Sequence, residues 1–148
     1  VKCSNYVGDT IDYAVEFGFK RMLLIAHAGK LVKVAAGIMN THSHVADARA
    51  EVLASHAALH GAPVEAVQRL MDSLTTDEAV KILEEYGLRE VVMDSVMKKV
   101  EYHLRARAGK MEIAALMFSN QYGILGETSS AKEMLRRYEE QYPGNQDA

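Results

Sequence analysis

The sequence predicts an α/β protein, a small, mostly parallel sheet flanked by many helices, and three observations carry that expectation. Two short apolar runs, Met22–Ala26 and Ile113–Phe118, have the length and the abrupt polar flanks of buried strands. Most of the remaining chain repeats its apolar residues at helical spacing. Around the first run, "RMLLIAHAGKLVKVAAG" passes from strand through a tight glycine turn into a helix, the opening of an α/β unit.

Taken in order, Val7, Ile11, Ala14 and Val15 predict a short first helix that Gly18 stops. After the first strand, Leu31, Val34, Ala35 and Ile38 mark a helix. The Ala-rich stretch from Val45 to Leu59, closed by Gly61, predicts another. Pro63 opens the next, with Val64, Val67, Leu70 and Met71 on its apolar face. Thr75 and Glu78 have the spacing of a capping box ahead of Ala79, Ile82, Leu83 and Tyr86, with Gly87 as the stop. Leu88, Val92, Val96, Val100 and Leu104 recur every fourth residue, which predicts the longest helix. The second strand ends in a Ser-Asn-Gln turn, and "AKEMLRRYEEQY" forms a last helix started by Ser129 or Ser130. Residues 143–148 read as a disordered polar tail, leaving 1–142 as one α/β domain. Met22, Met71, Met93, Met97 and Met117 fall within apolar elements and are expected in the core.

Composition narrows the function. At 148 residues and 49% hydrophobic content the chain can bury the core of one domain. A net charge of −3 offers no basic field for nucleic acid. One cysteine, Cys3, cannot close an internal disulfide, which fits a reducing cytoplasm, and no apolar run is long enough to span a membrane. Five of the six histidines lie before Gly61, which suggests that the chemistry sits early in the chain.

Two early stretches concentrate polar groups. "HAGK", His27–Lys30, lies between strand and helix, where turn amides and Lys30 can hold an anion; the plainer reading is a tight connection with a solvated lysine. It is not a nucleotide-binding P-loop, because Leu24 and Leu31 stand where that motif needs glycine and Ser/Thr. "NTHSHVADARAE" offers His42 and His44 two apart, with Asp47 or Glu51 as oxygen donors, a pattern that suits a metal only weakly. Asn40, Thr41 and Ser43 are capping types, so the same residues serve equally to start a helix on which His44, Asp47 and Glu51 share one face. His56 and His60, also four apart on a helix, are read as surface or satisfied core residues.

The stretches "CSNYVGDTIDYAVEFGF", "MLLIAHAGKLVKVAAGIMNTHSHVADARAEVLASHAAL" and "MFSNQYGILG" resemble the C-terminal half of the CbiD family, the cobalt-precorrin-5B C1-methyltransferases of anaerobic cobalamin biosynthesis. The combination of His-x-Gly-Lys-Leu-Val-Lys with Asn-Thr-His-Ser and Ala-Asp-x-Arg-x-Glu carries the likeness. Ala26 departs from it, standing where glycine is expected before the histidine. The Gly-, Thr- and Ala-rich segment that opens the family's N-terminal half is absent.

The resemblance implies S-adenosylmethionine as methyl donor, with cobalt present only as part of a contracted tetrapyrrole substrate. It also implies that this chain needs the missing N-terminal half as partner for turnover. On that reading His27 and His42 are the candidate catalytic residues. Lys30, Lys33, Asn40, Thr41, His44 and Arg49 are candidates to bind the carboxylate-bearing substrate, and Gly29 and Asp47 to bind the methyl donor, with no protein-bound metal. Two rival readings remain: a metal-dependent hydrolase built on His42 and His44, and a non-catalytic tetrapyrrole-binding domain.

Overall fold

Both apolar runs form strands, and they are neighbours. In the computed structural model, which describes residues 1–144, β1 (Arg21–His27) pairs in parallel with β2 (Glu112–Ser119), from Arg21 opposite Glu112 to His27 opposite Phe118. β2 is the middle strand and is buried along nearly its whole length, as its unbroken apolar sequence requires.

A third strand, β3 (Gly123–Glu127), runs antiparallel to β2, so the sheet is mixed, with one parallel and one antiparallel pair. Its origin is local: Ser119 Oγ accepts the Tyr122 N–H at 2.9 Å and folds the Ser-Asn-Gln turn into a hairpin. Two glycines in five residues hide this strand from a reading by pattern.

Among the described residues seven helices flank the sheet: α1 (Val7–Glu16), α2 (Ala28–Val34), α3 (Arg49–Leu59), α4 (Val64–Asp72), α5 (Thr76–Glu85), α6 (Arg89–Ala108) and α7 (Ala131–Gln141). α6 is the spine. Val92, Val96, Val100 and Leu104 on its four-residue repeat are all fully buried, against β2, β3 and four other helices. Each such side chain contributes about 1.5–3 kcal/mol by leaving water. On the other sheet face α7 sets Ala131 and Met134 on Ala114 and Leu116. Gly18 and Gly87, placed as helix stops, both adopt positive φ.

Three expectations are corrected. α4 buries Ala66 and Leu70, while Val64 and Met71 of its expected apolar face are exposed. The capping box at α5 is half formed: Thr75 Oγ1 accepts the Glu78 N–H, but the Glu78 carboxylate turns to the Leu74 N–H. Most relevant to function, α3 begins at Arg49 and not at Val45, so His44, Asp47 and Glu51 do not form one helical stripe. The cause lies in the polar side chains. Asn40 Oδ1 accepts the His42 N–H, His42 Nδ1 the His44 N–H, and Asp47 Oδ1 the Arg49 N–H. Each of these links bends the backbone two residues on, in competition with a helical turn.

The tail expected at 143–148 falls largely on residues 145–148, which lie outside the described residues. No helix among the described residues is long and apolar enough to cross a membrane.

Candidate functional site

The end of β1 and the start of α2 place His27 as the N-cap, its extended backbone leading into the helix and its Nδ1 accepting the Gly29 N–H at 3.2 Å. One helical turn on, Lys33 is only 3% exposed. Its ammonium donates to the Thr41 carbonyl at 3.0 Å and makes no ion pair among the described residues. Thr41 is buried in turn: its N–H donates to the Asn5 carbonyl and its hydroxyl to Asn5 Oδ1 at 3.3 Å. The loop before α3 is thus tied down by one lysine and by a residue from the start of the chain.

These pieces enclose a cleft of about 480 Å³ lined by Asn5, His27, Gly29, Lys30, Lys33, Thr41, His42, Ser43 and Arg49. Seven of the ten site residues expected from sequence meet there. The other three do not line it. Asn40 caps the turn and bridges to Tyr6. His44 stacks on His42, ring centroids 4.9 Å apart and planes 13° from parallel. Asp47 binds Arg49 through both oxygens, at 2.9 and 2.8 Å, which holds its carboxyl down to about 2.

Asn5 and Ser43 are members that sequence reasoning did not select. Asn5 could not be found by spacing, because it reaches the cleft from 36 residues before Thr41. Ser43 lies inside the polar cluster, where its type suggests only a helix cap.

The chemistry of the cleft is cationic. Lys30, Lys33 and Arg49 line it, no carboxylate does so among the described residues, and Asp47 beside it is bound by Arg49. His27 and His42 share one feature: Nδ1 of each accepts a backbone N–H, from Gly29 and from His44. A neutral imidazole held in that way carries its proton on Nε2. Each ring therefore offers an N–H donor and no free lone pair, which suits binding an anion better than acting as a base. Face-to-face stacking sets the His42 and His44 ring planes nearly parallel, so their in-plane lone pairs do not converge on one point.

Beside the cleft the sheet is apolar. The His27 and Phe118 rings meet edge to face with centroids 5.7 Å apart, Ile25 lies two residues before His27 on the same face, and Ile124 pairs with Phe118 from β3. Ile25 and Ile124 are 56% and 65% exposed.

Fold and cleft define the class: an α/β domain with a cationic cleft and an adjoining apolar floor at the carboxyl ends of its parallel strands, where such sheets bind ligands. Residues 40–129 match the model of the family described as CbiD, C-terminal domain. The chain belongs to the CbiD family. It is 49% identical to the cobalt-precorrin-5B C(1)-methyltransferase of Ruminiclostridium cellulolyticum over 142 residues, covering 92% of this chain and 37% of that protein. Proteins of the same name from Alkaliphilus metalliredigens and Citrobacter koseri are 42% and 41% identical, over 91% of this chain and 36% of their own lengths. The chain therefore spans a little over a third of the curated relatives it matches. No solved structure matches it.

Proposed function

We propose that this chain is the tetrapyrrole-binding part of an S-adenosylmethionine-dependent methyltransferase that methylates C1 of cobalt-precorrin-5B. Family membership and the shared name of the relatives support the reaction. The observation that supports the site is Lys33, a buried ammonium on the cleft wall that donates to one carbonyl and forms no direct ion pair among the described residues, the charge of nearby Asp47 being held by Arg49. Burying a charge without a counter-charge is costly, and an anionic ligand removes the cost.

The substrate is a cobalt-containing ring with acetate and propionate arms. The arms meet Lys30, Lys33, Arg49 and the Nε2–H donors of His27 and His42, while the flat ring lies over Ile25, Phe118 and Ile124. Thr41 and Asn40 shape the loop that carries His42, and His44 steadies its ring. These contacts fix the position of the ring carbon and exclude water from one side of it.

S-adenosylmethionine supplies an already activated methyl group on a sulfonium. The residues of this cleft do not fit it. The Gly29 N–H is used by His27, both Asp47 oxygens are used by Arg49, and three cationic side chains repel a sulfonium. The methyl donor is accordingly assigned to the remainder of the full-length protein, and the role first expected of Gly29 and Asp47 becomes structural.

Titration calorimetry of this chain with a carboxylate-rich porphyrin tests the site. We expect saturable binding that is weakened about tenfold or more by Lys33→Met and abolished when the porphyrin carboxylates are esterified. Equal affinity of wild type and Lys33→Met would remove Lys33 from the site. Saturable binding of S-adenosylhomocysteine by this chain would overturn the placement of the methyl donor.

A further inference from the structure

The sheet has two edges, and they are built differently. β3 is an edge strand of five residues with two glycines, an irregular register against β2 and a terminal glutamate, all features that blunt an edge. β1 is the other edge. It runs seven residues as RMLLIAH, with no proline, no glycine and no charge after Arg21. Apolar side chains occupy both its faces: Met22, Leu24 and Ala26 belong to the main core, Leu23 packs toward α7. Such a strand has the composition of an interior strand of a parallel sheet, with neighbours on both sides.

The other side of β1 is not bare solvent. Val1–Ser4 stand across from Met22–His27, and the two segments wall a groove of about 700 Å³ along the free edge. From there the chain passes through α1 and returns as β1. Strand, helix and parallel strand is the βαβ unit, and residues 4–20 give a crossover of the length it requires.

We propose that Val1–Cys3, together with the segment of the full-length protein that leads into them, form a fourth strand parallel to β1. The sheet then extends by one strand on the β1 side, and the unblunted edge disappears. The occupant is a covalent neighbour, because the matched family region is a C-terminal domain and this chain covers 37% of its Ruminiclostridium relative. The added strand passes beneath His27 and Lys30, which lie at the end of the same groove, and so supplies a wall of the binding site. The inference rests on membership of a longer protein and not on the methyl-transfer reaction.

Amide hydrogen exchange without ligand tests it, comparing this chain with the full-length protein. The peptide covering Arg21–His27 is expected to exchange about tenfold or more slowly in the full-length protein, with Val1–Cys3 protected alongside it. In the full-length protein the double variant Lys2→Pro, Cys3→Pro removes two consecutive N–H groups, one of which faces β1 whatever the register. It is expected to return β1 to the faster rate while the β2–β3 hairpin peptide keeps its own. Equal β1 exchange in the two proteins overturns the proposal, as does β1 protection that survives the double proline. Neither result bears on whether the protein transfers methyl groups.

Discussion

His27 illustrates how one residue serves both fold and site. Its Nδ1 caps α2 and its ring lines the cleft, and the two roles can be separated. His27→Ala is expected to cost about 1 kcal/mol of stability, whereas His27→Asn, which keeps an N-cap acceptor, stays close to wild type in denaturant unfolding. Both variants lose the Nε2–H and bind the carboxylate-rich porphyrin more weakly. An Asn variant as unstable as the Ala variant would show that the cap bond contributes nothing.

His56 is a histidine of another kind. It is hydrogen-bonded to Ser95 Oγ at 2.7 Å, and burial first, then His60 and Lys99, lower its pKa from the usual 6.5. With the folded value below the unfolded one, its neutral form carries the full stability above about pH 6.5, and that contribution falls away as pH drops toward and past the folded pKa. His56→Gln should flatten this acid-side loss in thermal melts between about pH 7 and 5. An unchanged pH profile would count against His56 as its source.

At the scale of elements, α6 and β3 meet with no space to spare. A Cβ on Gly126 would lie 2.6 Å from Met97 Cγ, and Met97 is itself fully buried. Gly126→Ala is therefore expected to destabilise by about 1–3 kcal/mol. In a Met97→Ala background the same change should cost little, a coupling that a double-mutant cycle measures directly. Independent, additive losses would mean that the hairpin shifts to absorb the methyl group.

The helices were legible because their evidence is local: α6 announces itself by one repeat, and the helix stops by their glycines. The start of α3 was not. Asn40, His42 and Asp47 look like helix-start residues, and only their pairing with amides two residues on reveals a run of turns. A histidine ring acting as the backbone acceptor in such a turn has no distinctive sequence signal.

For the whole molecule, the family match and the folding unit do not share a boundary. The match begins at residue 40, yet β1 and α2, which precede it, supply β2's parallel partner and the core residues Leu24, Leu31, Val32 and Val34. A chain reduced to residues 40–144 would leave β2 with β3 alone and expose the core that β1 and α2 cover. It is expected to lack a cooperative thermal transition by circular dichroism, where residues 1–144 melt cooperatively. Equal midpoints would mean that the first 39 residues belong to a separate unit.

Sequence by itself determined the class of fold, the position of two strands, the presence of seven helices, the family, and the stretch of chain where polar chemistry gathers. Those properties follow from spacing and residue type within a few turns of backbone. Only the tertiary structure decided that the sheet is mixed, that Lys33 is buried without a direct ion pair among the described residues, that Asn5 reaches the cleft at Thr41, and that β1 keeps an open edge. Each of those depends on which distant segments meet: β1 and β2 lie 91 residues apart at Arg21 and Glu112. Periodicity records that a residue is to be buried, and the choice of what it is buried against is made by packing among elements that no local pattern connects.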